Sequence, residues 1–385
     1  MRSRPPWRRA EAVEALRVVH VSVVHSLDDP RILERECHTL AGAGHAVWYA
    51  GVGDRRPQEA GDVRLVPRAR HPRRWRFLTT AQALRTVRAV QPHVVHLHDP
   101  ELLLALPALR RSAGSVVYDM HEYLSQSVGA KPYIPASLRP ATSAVVLRAQ
   151  RRLGGAVDAL VAVTAEQFAD MGPRPALRLA LPNYPRLSRF NGAVPTLPRE
   201  DERLRLVHIG TLSPSRGTRL MLEVMRRAGA QAELLLGGRC TTAEFEAELR
   251  AAAAAMPHAA VRLLGPVAPA AVPGYLASAD VVWLPELPTP QYRRPTIPTK
   301  LLEGMAVGLA ALVSDLPGRA ELVGSEACGV VVPPTADGHL TAICALAKER
   351  GAVTACGHRA AAAVVARYSW ESVQGSLIDF YARLG

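Results

Sequence analysis

Two short segments in the first half of the chain place histidines and carboxylates directly after apolar runs. They are HLHDPELL, with His98, Asp99 and Glu101, and YDMHEY, with His121 and Glu122. Imidazoles and carboxylates hydrogen-bond hydroxyl groups and move protons, so both segments are candidates for binding a polar substrate. Lone histidines at strand ends commonly only hydrogen-bond a loop, and that alternative stays open. His96 and His98 face one side of a strand, but no third firm ligand completes a zinc site, so no metal is expected.

A possible anion site lies in the second half, where GTLSPSRG follows an apolar run and leads into a helical pattern. Gly210 and Gly217 permit close approach of backbone, while the first amides of the helix and the Arg216 guanidinium can bind phosphate oxygens. The segment is not a Walker A loop, because G-x-x-x-x-G-K-[ST] is absent. An ordinary β–α turn with a solvated arginine is the alternative.

The segment PTKLLEGMAVGLAALVSDLPGRAEL places Lys300 and Glu303 three residues apart in a helix expected to start near Thr299. Lys300 can meet a phosphate or a polar sugar group, and Glu303 can accept hydrogen bonds from a diol such as ribose. Alternatively, Glu303 complements the helix dipole and Lys300 lies in solvent. The following turn offers backbone amides to the same ligand, from Leu316, Gly318 and Arg319.

Strands and helices must alternate to position these groups. Apolar runs predict strands over 17–24, 46–51, 94–98, 115–120 and 159–164, and then over 205–210, 233–238, 261–265, 280–285, 309–314 and 329–333. Between these strands, apolar residues recur at helical spacing. In DDPRILERECHTLAGAG, for example, Asp28 or Asp29 can cap a helix with Pro30 in its first turn. Continuous apolar strands separated by helices predict parallel sheets covered on both faces, a doubly wound α/β architecture.

The alternation stops at residues 181–203, which carry four prolines and no periodicity. This break predicts two tandem domains: a basic extension over 1–16, a first domain over 17–185, a linker over 186–203 and a second domain over 204–367. A closing helix over 368–385 is expected to pack back on the first domain. Ligands of such folds bind at the carboxyl ends of strands, so we expect a cleft between facing domains.

Composition narrows the functional classes. The formal charge of +13 favours an anionic partner such as a phosphorylated molecule or an acidic membrane, although arginine-rich codon bias explains it equally well. Aromatic residues make up 5% of the chain, too few for the stacking platforms of nucleic-acid binders. The five scattered cysteines show no disulfide or zinc spacing and fit a cytoplasmic protein. No apolar run is long enough to span a membrane, so only peripheral membrane contact is expected.

With these segments placed, the chain resembles the retaining glycosyltransferases of family 4, which have the GT-B fold. The resemblance runs from Arg17 to Leu384 and rests on the order and spacing of several motifs. DPRILERECHTLAGAGHAV resembles the first β–α unit of the family, VVHLHDPELL its H-x-H-[DE]-P turn, and GTLSPSRG its G-R-x-x-x-x-K-G turn. PTKLLEGMAVGLAALVSDLPGRAEL resembles the donor-binding E-x7-E segment, and YSWESVQGSLIDFY the closing helix.

The resemblance implies transfer of a hexose from a UDP- or GDP-sugar to an acceptor hydroxyl, with retention at the anomeric carbon and no obligatory metal or cofactor. The acceptor would be a glycan, a lipid-linked sugar or a small natural product. The catalytic groups would be His98, Arg216 and Lys300. The donor-binding set would be Gly210, Thr211, Gly217, Gly238, Pro285, Thr299, Glu303, Leu316 and Gly318. The acceptor side would comprise Asp29, Arg31, Asp99, Glu101, His121 and Glu122, with acceptor choice in first-domain loops such as 51–75.

Two positions depart from the family pattern. Thr211 stands where the family has arginine, and Pro295 stands where the first glutamate of E-x7-E falls, although one subgroup carries P-T-K-L-x-E here. These departures keep a catalytically silent partner subunit open as an alternative. A nucleotide-sugar epimerase or a phosphorylase on the same fold is a further alternative.

Overall fold

The computed structural model describes residues 14–53, 58–72, 76–121, 135–256, 258, 260–289, 292 and 294–385. The predicted extension therefore lies almost entirely outside the described residues, as does Glu122. The chain divides into two compact units, Met1–Asn183 with Val373–Gly385, and Tyr184–Ser372. Residues 184–203 group with the second unit, where the Phe190 side chain is buried in its core.

The first unit is built on one sheet. Its strands are β1 (Arg17–Ser26), β2 (Ala46–Val52), β3 (Gln58–Ala60), β4 (Val63–Arg68), β5 (Val94–Leu97), β6 (Ser115–Met120), β7 (Ala159–Ala162) and β8 (Leu177–Ala180). Their order across the sheet is β3-β4-β2-β1-β5-β6-β7-β8, and every neighbouring pair is parallel except the antiparallel pair β3–β4. The order reverses at the β1–β5 pair, which makes this point the switch point of a doubly wound sheet.

Helices cover this sheet. A helical segment with π-type hydrogen bonds, Pro30–Cys37, runs into α1 (His38–Gly42), and α2 (Arg76–Val90), α3 (Leu106–Leu109) and α4 (Arg139–Gly154) follow. Short 3-10 helical segments occur at Pro100–Ala105, Ala136–Leu138 and Ala165–Asp170. β5 and β7 are buried at every residue, as expected of parallel strands covered on both faces.

Part of the region 51–75, expected to be an acceptor-binding loop, is instead the strand pair β3–β4. In β4, Val63 and Leu65 are buried and the intervening Arg64 is exposed, which is the alternation of a half-buried strand. The many arginines of this region hide that alternation in the sequence. Since β4 lies next to β2, the sheet extends by two strands beyond the predicted edge.

The second unit has a sheet in the order β11-β10-β9-β12-β13-β14, parallel throughout. Its strands are β9 (Leu204–Ile209), β10 (Ala232–Gly237), β11 (Val261–Gly265), β12 (Val281–Leu284), β13 (Ala310–Ser314) and β14 (Gly329–Val332). Alternate residues of these strands fill two separate cores: Val281 and Trp283 point to one, and Val282 and Leu284 to the other. The switch point is the β9–β12 pair.

The helices of the second unit are α5 (Thr218–Ala228), α6 (Ala243–Ala254), α7 (Val272–Ala277), α8 (Thr299–Ala306), α9 (Arg319–Ser325), α10 (Ala336–Lys348) and α11 (Arg350–Arg367). Single helical turns occur at Leu187–Arg189, Pro214–Arg216, Gly229–Gln231 and Pro269–Ala271. The predicted strands are all present, within one or two residues. The doubly wound α/β prediction is confirmed for both units.

The last helix, α12 (Trp370–Ala382), returns the chain to the first unit, as predicted. Leu377, Phe380 and Tyr381 on this helix are buried, and the Tyr381 hydroxyl lies 2.7 Å from His96 Nδ1 in β5. Within the described part of the chain, no helix combines the length and the apolar character needed to cross a membrane.

Candidate functional site

Polar groups gather at the carboxyl ends of β1, β5 and β6 in the first unit. Asp29 and Arg31 follow β1, His98 and Asp99 follow β5, and His121 follows β6. Because these three strands are neighbours and parallel, their carboxyl ends meet at one edge of the sheet. The structure thus brings together the residues that the sequence predicted for the acceptor side, apart from Glu122, which lies outside the described residues.

A buried ion pair lies beneath this edge. Arg31 Nε and Nη2 donate to the two carboxylate oxygens of Asp119, each at 3.0 Å, and Nη1 donates to Leu181 O at 3.0 Å and to Asn183 Oδ1 at 2.6 Å. Burial alone would raise the pKa of Asp119, but the Arg31 guanidinium and His121 hold it well below its usual range. Asp119 is therefore ionised at neutral pH.

Glu36 is the second carboxyl group beside Arg31, with its Oε1 atom 3.0 Å from Arg31 Nε. The side chain is fully buried, and burial together with the neighbouring Asp119 charge raises the pKa of Glu36 well above its usual value. One guanidinium thus faces two carboxyl groups and is hydrogen-bonded to only one of them, Asp119. Neither residue was in the predicted site, because Glu36 lies in the helical segment after β1 and Asp119 lies within β6 rather than after it.

Three histidines form a hydrogen-bonded line, which we call the histidine row: His20, His98 and His121. His20 Nδ1 lies 2.9 Å from His98 Nε2, and His98 Nδ1 lies 3.0 Å from His121 Nε2. Burial lowers the pKa of His98 to about 4 and that of His20 well below its usual value, so both rings are neutral at pH 7. Both ring nitrogens of His98, the residue predicted to be catalytic, are engaged inside the protein.

Asp29 and Asp99, at the same edge of the sheet, are hydrogen-bonded to neighbouring protein groups. Asp29 accepts hydrogen bonds from the backbone amides of Arg31 and Ile32 and caps the helical segment, as predicted. Its other oxygen lies 2.9 Å from His25 Nδ1. Asp99 accepts from Ser22 Oγ at 2.7 Å and from Val23 N at 2.6 Å. Glu101 is half-buried in the turn after β5.

Atoms of the kind that bind metals come together here, since Glu36, His96, His98 and Asp119 each place one within 4.8 Å of the others. A cation at this point would compete with Arg31, whose guanidinium already lies 3.0 Å from both carboxyl groups. It would also displace the hydrogen bond between His98 Nε2 and His20. We therefore describe the cluster as a hydrogen-bonded network, and the metal-free reaction stays a prediction.

In the second unit, glycines let three loops pack closely at the carboxyl end of β9. Gly217 has φ +78°, and a Cβ atom there would lie 1.9 Å from Pro285 O. A Cβ atom at Gly238 would lie 1.6 Å from Gly210 O. Only glycine fits at these two positions. The predicted donor-binding positions after β9, β10 and β12 are therefore neighbours; Thr211 beside them is exposed, and Arg216 is half-buried.

Lys300 lies at the same edge. A Cβ atom on Gly210 would be 3.8 Å from Lys300 Cδ, so the lysine stem runs along the loop after β9. Its Nζ atom lies 2.9 Å from Glu286 Oε1. Burial lowers the pKa of Lys300, the Glu286 carboxylate opposes that shift, and the charge of Arg216 adds to it. Lys300 and the turn that carries Arg216 thus both adjoin the loop after β9.

The sequence reasoning missed Glu286 in this region and named Arg319 only for its backbone amide. Glu286, 1% exposed, lies two residues after β12, and its second oxygen accepts from Arg319 Nη1 at 2.6 Å. Arg319 is fully buried, and its guanidinium carbon lies 5.0 Å from the centre of the Tyr292 ring. The available signal was the position of Glu286 directly after the predicted strand 280–285.

The remaining predicted donor residues lie around α8. Thr299 begins this helix, and Glu303, in its second turn, is half-buried. Leu316 is buried, and a Cβ atom on Gly318 would lie 2.6 Å from Thr296 N, so the turn after β13 packs on the segment that enters α8. Pro295, where the family pattern has a glutamate, lies in that segment. The structure groups these positions at one edge of the second sheet.

Both units match known protein families. Residues 30–175 match the family described as Glycosyltransferase Family 4, and residues 203–349 match Glycosyl transferases group 1. A search of curated protein sequences finds no match.

Several solved structures share this fold. Sucrose-phosphate synthase from Thermosynechococcus elongatus aligns over 96% of this chain and 98% of its own, with 19% identity and a TM-score of 0.74. HepE from Anabaena, solved with UDP-glucose, aligns over 96% and 100%, with 15% identity and a TM-score of 0.70. WaaG, a glycosyltransferase involved in lipopolysaccharide biosynthesis, aligns over 94% and 99%, with 15% identity and a TM-score of 0.67. Each unit thus carries a match to a glycosyltransferase family, and the two sheets together have the GT-B fold.

Proposed function

We propose that the protein transfers a hexosyl group from a UDP- or GDP-sugar to an acceptor hydroxyl, with retention of the anomeric configuration. The observation that carries this proposal is the charge arrangement at the carboxyl edge of the second sheet. There, Lys300 runs along the glycine loop after β9, the same loop that carries Arg216, at the switch point where doubly wound sheets bind nucleotides. The similarity to HepE, solved with UDP and with UDP-glucose, favours a uridine nucleotide.

The chemical task of this edge is to stabilise the diphosphate as it leaves the sugar. Preorganised cations and amides meet that developing charge without having to reorganise. Lys300 and Arg216 supply the cations, and Glu303 on α8 would accept hydrogen bonds from the ribose diol. Glu286 holds the Lys300 ammonium in place while its own charge is shared with Arg319. A hexose is favoured by the donors and products named for the similar structures, sucrose-phosphate synthase and HepE with UDP-glucose.

Nucleotide binding is the direct test of this function. We expect UDP, UDP-glucose, GDP or GDP-mannose to raise the thermal unfolding temperature of the full chain, since a ligand at 100 times its Kd adds about 2.7 kcal/mol to the free energy of unfolding. Glu303→Ala should lose most of this shift, while Glu321→Ala, an exposed carboxylate on α9, should keep it. Temperatures unchanged by every nucleotide would instead favour the silent partner subunit that Thr211 and Pro295 leave open.

Metal removal tests the proposed charge stabilisation separately. If Lys300 and Arg216 neutralise the leaving diphosphate, release of UDP from UDP-glucose should continue at the same rate after dialysis against EDTA. The measurement is the rate of UDP release with EDTA, with Mg²⁺ and with Mn²⁺. Activity that collapses in EDTA and returns only with Mn²⁺ would contradict a metal-free reaction.

A further inference from the structure

A cavity of about 730 Å³ opens on the first unit, where the end of α4 meets the segment that leads into β8. The two segments are in close contact, since a Cβ atom on Gly154 would lie 1.9 Å from Met171 Cε. Residues 155–158 and 171–176 directly precede β7 and β8, so the cavity lies at the amino ends of these strands. It is therefore separate from the candidate site, which is at the carboxyl ends of the strands of the same sheet.

Four arginines line this cavity, and none of the residues that line it carries a carboxylate: Arg148, Arg151, Arg152 and Arg174. Arg151 Nε donates to Asp170 O at 2.9 Å. The other three are exposed, and none of them forms an ion pair within the part of the chain that the structure describes. Arg151 and Arg152 lie in the last turn of α4, where they complement the helix dipole. That role does not explain Arg148, one turn earlier, or Arg174, on a different segment.

The same helix exposes two large apolar side chains, Leu138 at 55% and Val145 at 67%. Leu138, Val145 and Arg152 follow one another at intervals of seven residues, which is two helical turns, so they lie on one stripe of α4 about 21 Å long. Arg148 lies three residues after Val145 and four before Arg152, on the same face. We call this surface, completed by Arg174, the α4 face; it is apolar where the helix begins and cationic where it ends.

We propose that the α4 face binds an anionic lipid bilayer. Lipid phosphates match the unpaired guanidiniums, each of which can bind two phosphate oxygens. The boundary between headgroups and acyl chains takes up exposed apolar side chains such as Leu138 and Val145. A nucleic acid would supply phosphates but no apolar phase for these two side chains, and the residues that line the cavity include no aromatic ring for base stacking. This inference is independent of the glycosyl transfer proposed above.

Co-sedimentation of the full chain with lipid vesicles tests this inference without any turnover. At about 0.1 M salt, we expect binding to vesicles of mixed phosphatidylglycerol and phosphatidylcholine and none to vesicles of phosphatidylcholine alone. Replacing Arg148, Arg152 and Arg174 together with glutamine should lower the partition coefficient about 10²-fold, which is about fivefold for each arginine near an anionic surface. Leu138→Ser combined with Val145→Ser should lower it about tenfold, because less apolar area is buried in the bilayer.

The matched control replaces Arg85 and Arg88 on α2 and Arg226 on α5 with glutamine, which removes the same charge from exposed helix positions elsewhere. This variant should bind vesicles like wild type, and the thermal unfolding temperature of every variant should match that of wild type because all the replaced residues are exposed.

Three results would each overturn the inference: equal losses in the control and in the α4-face arginine variant, unchanged binding in both α4-face variants, or wild-type protein that binds duplex DNA at least as tightly as anionic vesicles. Wild-type protein that binds no vesicles would also overturn it. That result would leave the proposed glycosyl transfer standing, because the shift of the unfolding temperature by nucleotides tests the transferase separately.

Discussion

Replacing Lys300 with alanine should lower the rate of nucleoside diphosphate release by about 10²–10³-fold, the usual effect of removing one preorganised group from a developing charge. The structure indicates that this loss is not caused by unfolding. Glu286, the partner of Lys300, keeps its contact of 2.6 Å with Arg319, so its buried carboxylate remains paired. Steady-state kinetics with UDP-glucose or GDP-mannose, together with the thermal unfolding temperature of each variant, provides the measurement.

Lys348→Ala is the matched control, because Lys348 is exposed at the end of α10 and is one of only three lysines in the chain. It should retain the wild-type rate. A Lys300→Ala protein that turns over as fast as wild type would contradict the assignment of Lys300 to the donor site. The rate of Glu286→Gln should lie between the rates of Lys300→Ala and Lys348→Ala. Glutamine keeps the shape of the side chain but no longer attracts the Lys300 ammonium with a full charge.

Replacing Arg31 with methionine should reduce the free energy of unfolding by about 3–5 kcal/mol at pH 7, the cost of leaving one partner of a buried ion pair alone. Arg31 is 5% exposed, and Asp119 is fully buried. The guanidinium also donates to Leu181 O and Asn183 Oδ1, so its removal frees the segment after β8. Urea denaturation of the full chain, followed by a signal from the first unit, measures this loss.

The free energy of unfolding lost in Arg31→Met should depend on pH, and the direction of that dependence follows from the pKa of Asp119. In the wild type, the folded pKa of Asp119 is lowered, so its contribution is present above pH about 4 and disappears below it. Without Arg31, burial raises that pKa, and the charged carboxylate destabilises the fold until acid protonates it. The difference between Arg31→Met and wild type should therefore shrink from pH 7 towards pH 4.

Arg110→Ala provides the comparison for this second prediction. Arg110 pairs with Asp158 in the same unit, but the two side chains are 47% and 37% exposed. An exposed ion pair contributes only about 0–1 kcal/mol. Equal losses for Arg31→Met and Arg110→Ala, or a loss for Arg31→Met that is the same at pH 4 and pH 7, would contradict the buried-pair account.

The strands and both doubly wound sheets could be predicted from the sequence, because buried parallel strands are continuous apolar runs and the intervening helices have their own period. The glycine turn Gly210–Gly217 and the helix that carries Lys300 and Glu303 could also be predicted, because the local sequence pattern indicates both. β4 was missed because arginines at its exposed positions, such as Arg64, hide the alternation. β8 was missed because its residues are only half-buried or exposed and give no apolar run.

The strands that end in polar residues can be read from the sequence alone, and they indicate which edge of each sheet could bind a ligand. The partners of those residues follow only from the fold. Arg31 and Asp119 are 88 positions apart, and Glu286 and Arg319 are 33 apart, so no local period connects them. Their pairing depends on strand order and on burial, which makes an isolated charge costly and a paired one tolerable. For the same reason the sequence could identify His98 as a site residue, but only the structure shows that both of its nitrogens face other histidines and that His121 is the one that reaches the surface.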